Sequence, residues 1–291
     1  MPENKASRPS WLPLGAALVS VGLWSAAFVG IRAAGRTFSP GALAFGRLTL
    51  GTTLLGALLL TRGWTGPSRR DLGLLLIAGI TWFGLYSIVL NEAERRVDAG
   101  TAAMLIMIAP IVVVALAGVF LKEQFTRALV LGAATAFAGV LVIGFATSSG
   151  HATLLGAILC VVAAVSSAIG LVAQKPVLSR ISALQVTWTC CAMGALICLP
   201  YAPTLVRELR TASTSATAWL VFLGVFPTSV AFTTWAYALA RGTAGRVVAT
   251  SYLIPAVTIV MSWLILGEIP SVLAVLGGAL CFVGVYITRR G

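Results

Sequence analysis

Ionisable side chains are scarce in this chain. Of its 291 residues only eight are Asp or Glu and one is His, and charged residues make up 10%. Acid–base, nucleophilic and metal-assisted catalysis all need such groups gathered in one place, so their scarcity argues against an enzyme. The single histidine, His151, falls in a short connecting segment, and no His, Cys, Asp or Glu grouping has the spacing of a metal site. No catalytic residue, metal or cofactor is therefore expected. The five cysteines (Cys160, Cys190, Cys191, Cys198, Cys281) lie within apolar stretches and lack CxxC spacing, which reads as packing rather than redox chemistry. No Asp or Glu falls in the middle of an apolar block. A buried carboxylate is the usual coupling group of proton- and sodium-driven carriers, so if the chain is a carrier, this absence implies facilitated passage.

Apolar residues are what the chain has instead, 59% of the total. They fall in blocks of roughly 18–23 residues, the length that spans a hydrocarbon core as a helix. Ten blocks are read: Trp11–Ile31, Gly41–Leu60, Leu72–Leu90, Ala99–Phe120, Ala128–Phe145, Ala152–Ala173, Ala183–Leu199, Ala218–Leu239, Val247–Leu266 and Val272–Thr288. The expected fold class is an all-α integral membrane protein with ten transmembrane helices. Residues 1–10 form an N-terminal tail. The formal charge of +12 does not imply nucleic acid, because the basic residues sort by side. With the N-terminus inside, thirteen Lys and Arg lie on the inner side and six (Arg32, Arg36, Arg95, Arg96, Arg207, Arg210) on the outer, with Arg47 inside a block. That bias places both termini in the cytoplasm and the chain in the inner membrane, with the lipid bilayer as its surroundings.

A spaced pattern occurs twice. Pro110, Glu123, Gly132 and Gly139 recur as Pro255, Glu268, Gly277 and Gly284, each 145 residues later. The chain thus reads as two copies of one unit, 11–146 and 152–288. Five crossings per copy is an odd number, so the second copy enters the membrane upside down. Such inverted repeats place a central site that opens alternately to the two sides.

The stretches GLWSAAFVGIR, NEAERRVDAGTAAMLIMIAPIVVVALAGVFLKE and ALARGTAGRVVATSYLIPAVTIVMSWLILGE resemble the EamA-type drug/metabolite transporter superfamily over essentially the whole chain. The resemblance implies ten helices, inner termini, a central cavity and export of amino acids or related metabolites, and within the family it is most similar to the aromatic amino-acid exporter branch. The same fold with a cationic drug or sugar-derived substrate is the alternative, and a membrane enzyme or non-transporting scaffold is the rival from another class.

Candidate site residues follow from depth. Trp24, Trp82, Tyr86 and Tyr252 lie deeper than the interfacial belts, and Met107 is the repeat counterpart of Tyr252. Together with the hydroxyls of Ser25, Ser166, Ser167 and Thr228 they are expected either to pack or to line an aromatic substrate cavity. Pro110 and Pro255, near the middle of the fourth and ninth blocks, remove a backbone hydrogen bond and serve as static kinks or as bending points. Pro227 is a third such proline and falls where the repeat puts Trp82. Arg47 is the one formal charge well inside a block, where it snorkels or faces a polar cavity, against a backbone carbonyl or a substrate carboxylate. Glu123 and Glu268 are read as structural, meeting the next helix or a nearby base; Lys122 and Arg127 are the bases nearest Glu123. The glycine pairs, seven apart, present flat stripes that let another backbone approach. Oligomeric state, monomer or homodimer, is left open.

Overall fold

A computed structural model describes residues 11–97, 102, 105–147, 154–266 and 271–290. These are helical with no strand among them. In chain order the helices are α1 (Trp11–Ala34), α2 (Pro40–Leu60), α3 (Arg69–Ala93), α4 (Ala109–Leu121), α5 (Arg127–Thr147), α6 (Leu154–Gln174), α7 (Ala183–Leu209), α8 (Thr214–Arg241), α9 (Ala244–Ala249), α10 (Leu253–Leu266) and α11 (Val272–Arg290). Among the described residues six are long and apolar enough to cross a membrane: α1, α2, α3, α6 with the turn that follows it, α7 and α8. The apolar helices in the fourth, fifth and tenth blocks are shorter.

Polar residues mark where these helices begin. Ser68 and Asp71 form a reciprocal capping box at the head of α3, and Ser182, Ser213 and Thr243 accept backbone N–H groups at the heads of α7, α8 and α9. Each cap satisfies donors that the first helical turn leaves without a partner. Asp71 is 3% exposed and is also ion-paired to Arg180, which tethers α3 to the turn after α6.

The bundle interior is built by α1 packing on α8 and α10, α2 on α7 and α8, α3 on α6 and α7, and α4 on α6. The last pair, α5 and α11, pack on each other along their glycines. A Cβ placed on Gly139 would lie 2.6 Å from the Gly277 carbonyl, and one on Gly284 would lie 2.3 Å from the Ala136 nitrogen. Gly132 meets Gly284 in the same way. The stripes thus join the fifth and tenth blocks to each other.

Two departures from the sequence expectation concern backbone geometry. Pro110 and Pro255 do not kink continuous helices. Pro110 stands in the first turn of α4 after a break at residues 107–108, and Pro255 stands in the first turn of α10 after a 3-10 turn at Thr250–Tyr252. A helix's first turn is where a missing N–H costs nothing, so each proline opens the second piece of a broken helix. The other concerns wide π-helical turns. Two of them span Gly79–Leu85 in α3 and Gly224–Ala231 in α8, with leading glycines 145 residues apart, the offset of the sequence repeat; a third, Ala117–Leu121, ends α4 and has no counterpart at that offset in α10. A π-turn inserts a residue into the helical ladder and is concentrated at functional sites.

Candidate functional site

Between the two helix breaks and the π-turns of α3 and α8 lies a cavity of about 90 Å³. Trp24, Trp82 and Tyr86 line it together with Phe232 and Trp235, and Arg47 forms part of its wall. The aromatic side chains pack edge-on or tilted: Trp24 lies 4.9 Å from Trp235, 5.3 Å from Phe232 and 6.3 Å from Trp82, ring centre to ring centre. These are the spacings at which ring quadrupoles attract, so the box is held by its own geometry. Trp24 is also fixed by its indole N–H, which donates to the Pro227 carbonyl at 3.3 Å. The breaks contribute Met107 and Pro110 from one side and Ser251 and Ile254 from the other.

Arg47 is 5% exposed, and a chain of hydrogen bonds explains how it is held. Pro227 has no N–H, so the Leu223 carbonyl four residues earlier loses its helical donor. The Thr228 hydroxyl donates to that carbonyl at 2.8 Å, and its oxygen accepts from Arg47 Nε at 3.0 Å. Ser229 donates in the same manner to Gly224, at 2.9 Å. The π-turn and its proline thus orient Thr228, and Thr228 orients the guanidinium. Its two terminal nitrogens make no hydrogen bond among the described residues, which leaves a fork suited to a carboxylate beside the aromatic box.

The expected site residues divide accordingly. Trp24, Trp82, Tyr86, Met107, Ser167, Pro110 and Arg47 line the cavity. Ser25, Ser166, Thr228 and Tyr252 do not. Ser25 donates to Val21 and Ile254 carbonyls, at 2.8 and 3.1 Å, and so staples α1 to α10. Ser166 donates to the Thr81 carbonyl in the α3 π-turn at 2.5 Å. Thr228 acts behind Arg47. Tyr252 is fully buried and lines a separate apolar space against α5, because the 3-10 turn at the second break rotates it away from the centre. Pro255 is buried without lining the cavity, and Pro227 borders it through its carbonyl. Phe28, Phe232, Trp235 and Ser251 are among the lining residues the sequence reading missed.

Glu123 does not pair with Lys122 or Arg127. Lys122, at φ 55°, ends α4 in a left-handed turn that sends Glu123 across to α9. There its carboxylate accepts the N–H groups of Ala244 at 2.9 Å and Gly245 at 3.3 Å, capping α9 from 121 and 122 residues away in sequence. Lys175 Nζ bonds the carbonyls of Leu239 and Gly242, so the same end of the bundle is tied by two charged clamps. Glu268 lies outside the described residues.

The opposite end holds a larger polar space of about 550 Å³, lined by Arg32, Arg36, Asn91, Glu94 and Arg95 among others. Two acceptors here lack donors: Asn91 Oδ1 and Glu94 Oε1 are both buried with no hydrogen-bond partner. An unmet buried acceptor costs about 1–3 kcal/mol, more when charged. Burial pushes the Glu94 carboxyl up to about 8, while Arg32 and Arg47 pull it down. The middles of the apolar blocks do lack carboxylates, but the half-buried Glu94, with its Oε1 fully covered, stands just past the end of α3. Sequence alone missed it because it sits in the charge-rich run NEAERRVD, which reads as a solvated connection.

A family model described as the EamA-like transporter family matches residues 11–145 and 154–290. The chain is 37% identical over 287 residues to a probable terminal-alkyne amino-acid exporter of Streptantibioticus cattleyicolor, covering 98% of this chain and 95% of that protein. It is 34% identical to an uncharacterised transporter of Bacillus subtilis, over 92% of this chain and 88% of that one. A probable amino-acid metabolite efflux pump of Salmonella typhimurium is 27% identical over 77% of this chain and 78% of its own length. A solved crystal structure shares the fold, with a TM-score of 0.77 at 21% identity, over 97% of this chain and 99% of that one.

Proposed function

Since the chain belongs to the EamA-like transporter family and is a multi-pass membrane protein, we propose that it exports small metabolites, chiefly amino acids with aromatic or apolar ones included, by alternating access. The two halves, 11–146 and 152–288, act as inverted five-helix repeats giving ten crossings, with both termini in the cytoplasm and the chain in the inner membrane. Equal spacing of the Pro–Glu–Gly–Gly pattern and of the α3 and α8 π-turns supports the repeat. The amino-acid exporter and efflux names of relatives support the substrate class.

One observation carries the reading: a buried arginine with a free fork beside an aromatic box. The fork takes a substrate carboxylate and the box an apolar side chain. A buried cation repels a cationic drug, so the zwitterion is preferred over that alternative. At about 90 Å³ the cavity is smaller than the roughly 300 Å³ at which ligand sites begin. Binding therefore requires the helices to part, and the breaks before Pro110 and Pro255 are where they bend. Counterflow in proteoliposomes against amino acids, amines and sugars tests the proposal. Amino acids are expected to exchange and amines are not; exchange of amines alone refutes it.

A further inference from the structure

The polar space at the end of α3 has no role in the reading just given, yet at about 550 Å³ it is large enough for a ligand. Asn91 and Glu94 are three residues apart and share a face of the last turn of that helix. Asn91 is 3% exposed, and its Nδ2 donates to the Pro40 carbonyl at 3.0 Å. That bond fixes which way the amide points and leaves Oδ1 as the atom without a donor. Glu94 Oε1 is in the same condition beside it. The surrounding arginines do not supply the missing donors. Arg32, Arg36 and Arg95 are exposed, and Arg95 is ion-paired to Glu92 at 3.8 Å.

Two buried acceptors on one wall call for a group rich in N–H donors. A carboxylate has none, and a hydroxyl has one. A primary ammonium has three, and its charge matches Glu94. The arginines make the space unfavourable for a bare cation, whereas a zwitterion brings its own carboxylate to meet them. We propose that Asn91 and Glu94 form an ammonium-binding subsite, a second station for the amino-acid head group outside the aromatic cavity. The inference rests on the amino-acid reading above. The two spaces adjoin, since Ile31 lines both and Arg47 lies within electrostatic reach of Glu94.

A proton competes with the ammonium for this subsite. The charged and titratable groups facing Glu94 are Arg32 and Arg36 from the end of α1, Arg47 from α2, Cys160 from α6, and Tyr86 and Arg95 from its own segment. Below about 8 the carboxyl holds a proton and cannot accept an ammonium; above it, the carboxylate can. Ammonium binding therefore displaces a proton, and head-group affinity rises with pH.

The test is counterflow by the full-length protein in proteoliposomes, with L-phenylalanine and its amine-free analogue 3-phenylpropionate as probes. Between about pH 6 and about pH 8 the apparent affinity for phenylalanine is expected to rise on the order of tenfold or more, in proportion to the competent carboxylate fraction. The analogue is expected to show no such rise. Glu94→Gln flattens the phenylalanine profile, and Asn91→Leu weakens phenylalanine at every pH while keeping the slope. Should Glu94→Gln fail to fold, Glu94→Asp, which keeps the charge, must retain a pH slope. If phenylalanine exchanges but its slope survives in Glu94→Gln, or the analogue shows the same slope, the subsite is refuted and the transport reading stands. If no amino acid exchanges at any pH, both fall.

Discussion

At the scale of single residues, Arg47 and Glu94 carry the chemistry. Arg47→Lys keeps a charge but loses the planar fork, so apparent affinity for amino acids is expected to fall about 10–100-fold, the worth of a charge-assisted pair. Counterflow at several substrate concentrations measures it. Thr228→Val is expected to weaken transport through Arg47 without touching substrate. Glu94 also predicts a pH effect on stability. Its folded value of about 8 lies above the ordinary 4.5, so between these the unfolded chain releases the proton first. Stability therefore falls as pH rises through that window, and Glu94→Gln removes the fall. Thermal melts in detergent at about pH 5 and about pH 9 check this. Much of this site was legible in sequence. Arg47, Trp24, Trp82 and Tyr86 announce themselves because charge and large aromatics are rare at mid-depth. Phe232 and Trp235 did not, since only the packing of α8 on α1 distinguishes them from aromatics that face lipid.

At the scale of elements, the close helix contacts and the breaks give the clearest expectations. Gly139→Val puts side-chain atoms into the Gly277 carbonyl, and a surrounding backbone cannot yield. A loss of about 1–3 kcal/mol or more is expected, read as a lowered melting temperature. Glu123→Gln removes the charge that caps Ala244 and Gly245 and is expected to cost about 1 kcal/mol. The repeat of Pro110 and Pro255 was visible as spacing, but their position in a first turn was not, because the spacing does not say where the helix breaks. Tyr252 shows the cost of that gap. Its counterpart Met107 lines the cavity, and a short 3-10 turn is enough to turn Tyr252 to the other side.

At the scale of the whole molecule, one end is tied and the other is open. Lys175 and Glu123 clamp the segment between α8 and α9, whereas the end with Asn91 and Glu94 holds the larger space. Membrane class followed from hydropathy; this asymmetry did not, because it depends on contacts between distant segments. All five cysteines are buried, so the native protein is expected to be silent to an impermeant maleimide until it unfolds. A cysteine placed at Arg36, an exposed residue on the wall of the larger space, is expected to react, which mass spectrometry reads directly. The glycine contact between α5 and α11 has a mechanical consequence. Backbones that touch at four glycines cannot slide or part without losing the whole seam, so this pair is the spine of a book whose covers are the remaining helices. Spin labels across the spine are expected to keep one distance throughout the transport cycle, while labels across the open end report two.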